Sequence, residues 1–252
     1  LPRLFKLADN NYSNTHQFYV DGNPSVADID ANAGTGGSPA WKTILVGGLN
    51  KGGKGYYALD ITDPAHPRAL WEFGWSSTCW DGSATASGDC HVGYSYGRPI
   101  ISKLQDGRWV VMVSSGMNNV NSPSLTGDGQ GYLYVLNAAN GTLIAKISTN
   151  AGSASAPSGL THLTNFVDDA SINNTSVRVY GGDLLGNIWR FDINDNLAPS
   201  GLEATLLGTA RTPTGTPQPI STRLELGEIN GKPWVFAGTG RLLGVGDLAD
   251  TQ

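Results

Sequence analysis

The residues that could do chemistry are few and loosely spaced. Asp28-Ile29-Asp30-Ala31-Asn32-Ala33-Gly34 sets hard oxygens at alternate positions, the opening half of a calcium loop. No acidic residue follows soon enough to close the shell, and the same Asx-rich pattern serves backbone turns. A fainter echo lies at Asp168-Asp169-Ala170-Ser171-Ile172-Asn173-Asn174-Thr175-Ser176-Val177. There Asp169, Ser171 and Asn173 keep the spacing, but Val177 stands where the last carboxylate belongs. Calcium is therefore a possible cofactor at either loop, and no other cofactor is expected. The histidines (His16, His66, His91, His162) are scattered, and no serine sits in a G-x-S-x-G elbow. GGLNKGGKG (47–55) lacks the terminal Lys-Ser/Thr of a phosphate loop, so a hairpin turn is expected. No catalytic residue emerges, and the chain does not read as an enzyme.

The two cysteines, Cys79 and Cys90, lie in the loop STCWDGSATASGDCHVG. Their spacing suits a loop-tip disulfide, with free thiols as the alternative; His91 alone does not complete a zinc site. A disulfide points to an oxidising compartment, the periplasm or the cell surface. Trp75 and Trp80 in the same region are candidates for an exposed interaction surface, including a glycan-stacking one. The formal charge of −5 without any Lys/Arg cluster argues against nucleic acid, and no apolar run is long enough for a membrane span.

The elements that must carry these residues come from a repeat. GGKGYYALDITDP (52–64), GQGYLYVLNAANG (129–141) and LGNIWRFDINDN (185–196) share one order: glycine, alternating apolar strand, Asp or Asn, polar turn. Each has two strand-like segments before it and one behind. Four short antiparallel strands per unit predict an all-β fold, a β-propeller. Blades are expected at about 16–74, 93–150 and 159–210, with a partial one at 216–252, all in a single domain spanning 1–252. About three and a half blades make a truncated or incomplete ring. Tyr57, Leu59 and Ile61, Leu133, Val135 and Leu136, and Ile188 and Phe191 are expected to face neighbouring blades. Trp41, Trp71, Trp109, Trp189 and Trp234 are expected to fill the gaps between them. The long inserts 76–91 and 116–131 are the expected binding surface.

The segments FYVDGNPSVADI, WKTILVGGLNKGGKGYYALDITDP, GYSYGRPIISKLQDGRWVVMVSSGMNN, GYLYVLNAANGTLI, VYGGDLLGNIWRFDI and VFAGTGRLLG, in this order, resemble the C-terminal propeller of the PilY1/PilC family of type IV pilus tip-associated adhesins and biogenesis factors. The resemblance implies a non-enzymatic module at the bacterial cell surface, pilus tip or outer-membrane-associated periplasm. Its implied partners are pilus machinery or minor pilins, with a host ligand as a further possibility. It implies support of pilus assembly, opposition to retraction, adhesion and surface-linked motility. The family's calcium loop maps onto Asp169, Ser171, Asn173 and Val177, and this chain departs from it at two carboxylate-type positions. The family domain also continues beyond the GTGR segment. A quinoprotein-dehydrogenase-like enzyme and a direct glycan-binding adhesin are the competing readings; the first would need a complete ring around a central cofactor.

Overall fold

The computed structural model describes residues 4–82, 87–120, 127–167, 171–196, 201–243 and 247–248. After 3-10 turns at Leu4–Ala8 and Tyr12–Asn14, the described chain is almost wholly strand and turn. The first sheet is an antiparallel meander of β1 (Ser25–Asp30), β2 (Trp41–Gly48), β3 (Gly55–Asp60) and β4 (Arg68–Trp75). A two-residue strand, β5 (Gly88–Asp89), adds to β4 in parallel. The second sheet runs β6 (Ile100–Lys103), β7 (Trp109–Ser114), β8 (Gln130–Asn137) and β9 (Leu143–Gly152). The third runs β10 (Leu163–Val167), β11 (Ser176–Gly182), β12 (Asn187–Phe191) and β13 (Ala204–Thr209). A hairpin of β14 (Glu225–Ile229) and β15 (Lys232–Phe236) begins a fourth.

The recurring Asp or Asn does the same job in each blade. Asp60 Oδ1 accepts from Thr62 N at 3.0 Å, Asn137 Oδ1 from Ala139 N at 2.9 Å, and Asp192 Oδ1 from Asn194 N at 2.9 Å. Each is an Asx turn that ends the third strand and starts the chain toward the fourth. The first strands of successive sheets adjoin, β1 beside β6, β6 beside β10 and β10 beside β14. The sheets thus fan about a shared axis, and the fan is not closed.

Hydrophobic cores fill the wedges. Between the first two sheets, the rings of Phe73 and Tyr134 lie 5.2 Å apart, and Trp71 Nε1 donates to Ala138 O at 2.9 Å. Gly141, at φ +73°, lies so close to Trp71 that an added Cβ would sit 2.6 Å from the ring. Leu133, Val135 and Ile147 meet Val179, Trp189 and Phe191 in the second wedge. Tyr180, Ile220 and Leu224 begin a third.

The face assignments of the first blade need correcting. Tyr56 and Ala58, not Tyr57, Leu59 and Ile61, are the buried residues of β3 and its turn. Strand alternation distinguishes two faces but does not say which has a neighbour, and among the described residues the first blade packs against the second alone. In β8, flanked on both sides, Tyr132 through Leu136 are all buried. Trp41 and Trp234 are 62% and 49% exposed and fill no wedge between the described blades.

Candidate functional site

The two long inserts converge on the wedge between the first and second blades. The first leaves β4 at Trp75 and returns through β5, and its ends are joined by the Cys79–Cys90 disulfide with Cα atoms 4.5 Å apart. The second connects β7 to β8. They meet backbone to backbone at Gly127: a Cβ there would lie 3.2 Å from Cys90 O of the first insert, and 1.6 Å from Asn119 O within its own insert, so only glycine fits. Tyr94 and Met117 exchange hydrogen bonds, Tyr94 N to Met117 O at 2.7 Å and Met117 N to Tyr94 O at 2.9 Å. Lys54 Nζ reaches across from the first blade to Asn118 O at 2.9 Å, and burial lowers its pKa.

A charged cluster lies beneath this junction. Asp89 is fully buried. Its Oδ1 accepts from Trp80 N at 2.7 Å. Its Oδ2 accepts from Tyr134 Oη at 2.7 Å and from Lys146 Nζ at 2.8 Å, with His91 Nδ1 at 3.1 Å. Burial alone would raise the Asp89 pKa, but the hydrogen bonds from His91, Lys146, Trp80 N and Tyr134 outweigh it and hold the carboxyl well below the usual range. Tyr134 is pushed the other way, by burial first and then by the Asp89 charge, so it stays a phenol and a donor.

From the second insert comes Asp128, which accepts from Gln130 N at 2.9 Å and from Tyr132 Oη at 2.5 Å. His91 bridges the two carboxylates, its Nε2 lying 3.5 Å from Asp128 Oδ2 and its ring 4.7 Å from that of Tyr132. Lys146 Nζ lies 4.4 Å from the Tyr132 ring centre, a cation–π contact. Every reactive group here is already held by another. The arrangement pins the described parts of two inserts to one wedge, and among the described residues it leaves no nucleophile beside a free base.

The expected site residues divide clearly. Cys79 and Cys90 are bonded. With His91 they offer ligand atoms within 4.8 Å of one another, but sulfurs joined to each other are not thiolate ligands. Trp80 packs against the inter-blade core, whereas Trp75 is 42% exposed at the end of β4. Asp28 and Asp30 act as local acceptors: Asp28 from Thr43 Oγ1 at 2.6 Å, Asp30 from Asn32 N at 3.0 Å and Ala40 N at 2.8 Å. Asn32 Nδ2 donates to Ser38 O at 2.8 Å. Asn173 Oδ1 caps its own turn through Thr175 N at 3.1 Å and Thr175 Oγ1 at 2.7 Å. Ser171 begins the described part of that loop, and Asp169 lies outside the described residues. Sequence reasoning missed Asp89, Asp128, Tyr132, Tyr134 and Lys146. Its one available signal was the Tyr-x-Tyr alternation of β8, which puts two phenols on the face toward the inserts.

No described helix is long and apolar enough to cross a membrane. Comparison with known proteins gives a consistent picture. The family described as the PilY1 beta-propeller domain matches residues 1–208. A type IV pilus biogenesis factor PilY1 homolog of Xylella fastidiosa is 36% identical over 259 residues, covering 100% of this chain and 18% of the relative. The type IV pilus biogenesis factor PilY1 of Pseudomonas aeruginosa PAO1 is 35% identical over 192 residues, 76% of this chain and 14% of the relative. The chain thus spans less than a fifth of these curated relatives. The crystal structure of the P. aeruginosa PilY1 C-terminal domain superposes with a TM-score of 0.67 at 30% identity, over 92% of this chain and 46% of that one.

Proposed function

This chain belongs to the PilY1 β-propeller family, and from that premise we propose that it is a non-enzymatic interaction module of a type IV pilus biogenesis factor. It works on the bacterial surface or in the periplasm, docks onto pilus subunits or machinery, and supports assembly against retraction. Adhesion and surface-linked motility follow from the pili it sustains. The observation that carries this reading is the convergence of both long inserts on one wedge, pinned by a disulfide and by the ion cluster around the fully buried Asp89. A rim held that firmly presents a fixed surface at low entropic cost to a partner. The cysteine bridge also suits an oxidising location.

The test is a paired substitution on the exposed rim, Trp75→Glu with Thr78→Arg, placed in the full-length protein and returned to a strain lacking it. At unchanged protein level, surface pili and co-purifying pilus subunits should fall together. Wild-type values of both would overturn the assignment of the rim. Addition of pyrroloquinoline quinone and calcium tests the enzyme alternative: a red-shifted absorbance band or dye-linked alcohol oxidation would overturn the non-enzymatic reading.

A further inference from the structure

We propose that the cleft on the propeller axis is a carboxylate-binding site that takes an acidic side chain or a chain terminus of a partner peptide. The cleft holds about 220 Å³ and lies where the inner strands β1, β6 and β10 adjoin, away from the rim. Its lining brings together Arg98, His162 and Arg223 and contains no Asp or Glu. That runs against the composition of a chain with net charge −5.

Both arginines line the cleft and keep guanidinium nitrogens that no described protein acceptor takes. Arg98 Nε donates to Ser25 Oγ at 3.0 Å, and Ser25 Oγ in turn donates to Pro99 O at 2.5 Å, so the arginine is braced at its inner nitrogen. Its two terminal nitrogens have no acceptor among the described residues. Arg223 donates to Thr164 Oγ1 at 3.3 Å, and its Nε is 3.8 Å from Glu225 Oε1, an ion pair between exposed groups that contributes little. Burial and then the Arg223 charge lower the pKa of His162, so the positive charge of the cleft rests on its two arginines.

The planar fork of an arginine matches a carboxylate through two parallel hydrogen bonds. Val26, Ile100 and Leu163 supply an apolar wall beside the forks, which suits the methylene stem of Asp or Glu and offers a free phosphate nothing. The volume is below the roughly 300–1,000 Å³ of a small-molecule pocket and fits a single side chain.

The experiment titrates the full-length protein at low salt with three probes. One peptide carries a single central Glu and an amidated terminus; a second has a free terminal carboxylate and no acidic side chain; the third probe is inorganic phosphate. Saturable binding of either peptide is expected, and which one binds identifies the source of the carboxylate. Arg98→Gln and Arg223→Gln should each weaken it by about tenfold or more, the loss of one charge-assisted pair. Arg98→Lys should restore only part, since it keeps the charge and loses the fork. Lys232→Gln, on β15 and outside the cleft, should change nothing. If Arg98→Gln does not fold, Arg223→Gln, at an exposed guanidinium, gives the same reading. No peptide binding, phosphate binding without peptide binding, or equal affinity in the arginine variants would overturn the site.

Discussion

Two fully buried carboxylates, Asp183 and Asp89, are held in opposite ways. Asp183 follows β11 in the third blade and is surrounded by neutral donors. Leu185 N and Asn187 N each reach Oδ1 at 2.9 Å; Trp189 Nε1 at 2.9 Å, Asn187 Nδ2 at 3.0 Å and Ser158 Oγ at 3.3 Å reach Oδ2. All but Ser158 lie within six residues of it. Asp89 comes from an insert, and its side-chain partners Tyr134 and Lys146 belong to the neighbouring blade, the first of them 45 residues away. The first carboxylate closes a turn of its own blade. The second ties an addition to the scaffold: its insert supplies Trp80 N and His91 N, and the neighbouring blade adds a phenol and a cation.

The sharpest way to break this contrast is Asp183→Ala. Five donors lose their acceptor, two of them in fully buried bonds, and unmet buried donors cost about 1–3 kcal/mol each before relaxation. A loss of at least about 4 kcal/mol is expected in chemical denaturation, with the hairpin of β11 and β12 losing hydrogen-exchange protection. Lys146→Met comes next. It leaves the Asp89 charge buried with its neutral donors and His91 only, and should cost about 3 kcal/mol. Joining it to Asp89→Leu should recover part of that loss, since removing a whole buried pair is far cheaper than halving it. If the double variant is as unstable as the sum of the singles, the pair is not the unit.

Acid sharpens the same comparison. The folded pKa of Asp89 lies below its unfolded value, so its stabilisation is complete above the unfolded value of about 4 and is lost as pH falls toward the folded one. Lys146→Met removes one cause of that depression. The variant should therefore lose less further stability than the wild type between pH 5 and 2, as read by urea midpoints at each pH. Equal slopes would mean that Lys146 does not set the charge state of Asp89.

What the sequence disclosed follows the same line. The blades were legible because each copy repeats a local instruction, the glycine-led strand and the Asx turn at Asp60, Asn137 and Asp192, whose hydrogen bonds close within two residues. The turn at Asp183 is local as well, with all its donors but Ser158 within six residues. The Asp89 cluster was not legible, because Lys146 and Tyr134 become its neighbours only when two blades pack. Strand β5 escaped as well: two residues, Gly88 and Asp89, carry no periodicity. The disulfide was accessible from spacing, but its role in fastening a polar cluster was not. The exposure of Trp41 and Trp234 depends on how the blades pack, which no single strand encodes.

Replacing both cysteines by serine tests whether the covalent tie or the ion cluster holds the first insert. Chain-entropy reasoning gives the bridge at most about 3 kcal/mol for a loop of this size. A loss between about 1 and 3 kcal/mol is expected, with the Asp89 contacts kept and the subunit capture of the rim weakened in step. Loss of capture without loss of stability would assign the bridge to positioning alone.

The smallest effect is expected from Tyr132→Phe, and it isolates solvent access from charge. The substitution keeps the ring against His91 and beneath Lys146 and deletes only the hydroxyl that donates to Asp128. Asp128 differs from Asp89 in one decisive respect: its side chain is 35% exposed, so water can replace the lost donor. A cost of about 1 kcal/mol or less should follow, against the larger cost of disturbing Asp89. A loss as large as that of Lys146→Met would mean that Asp128 is sealed by the second insert, and that the two carboxylates flanking His91 form one buried unit rather than an inner lock and a hydrated outer rim.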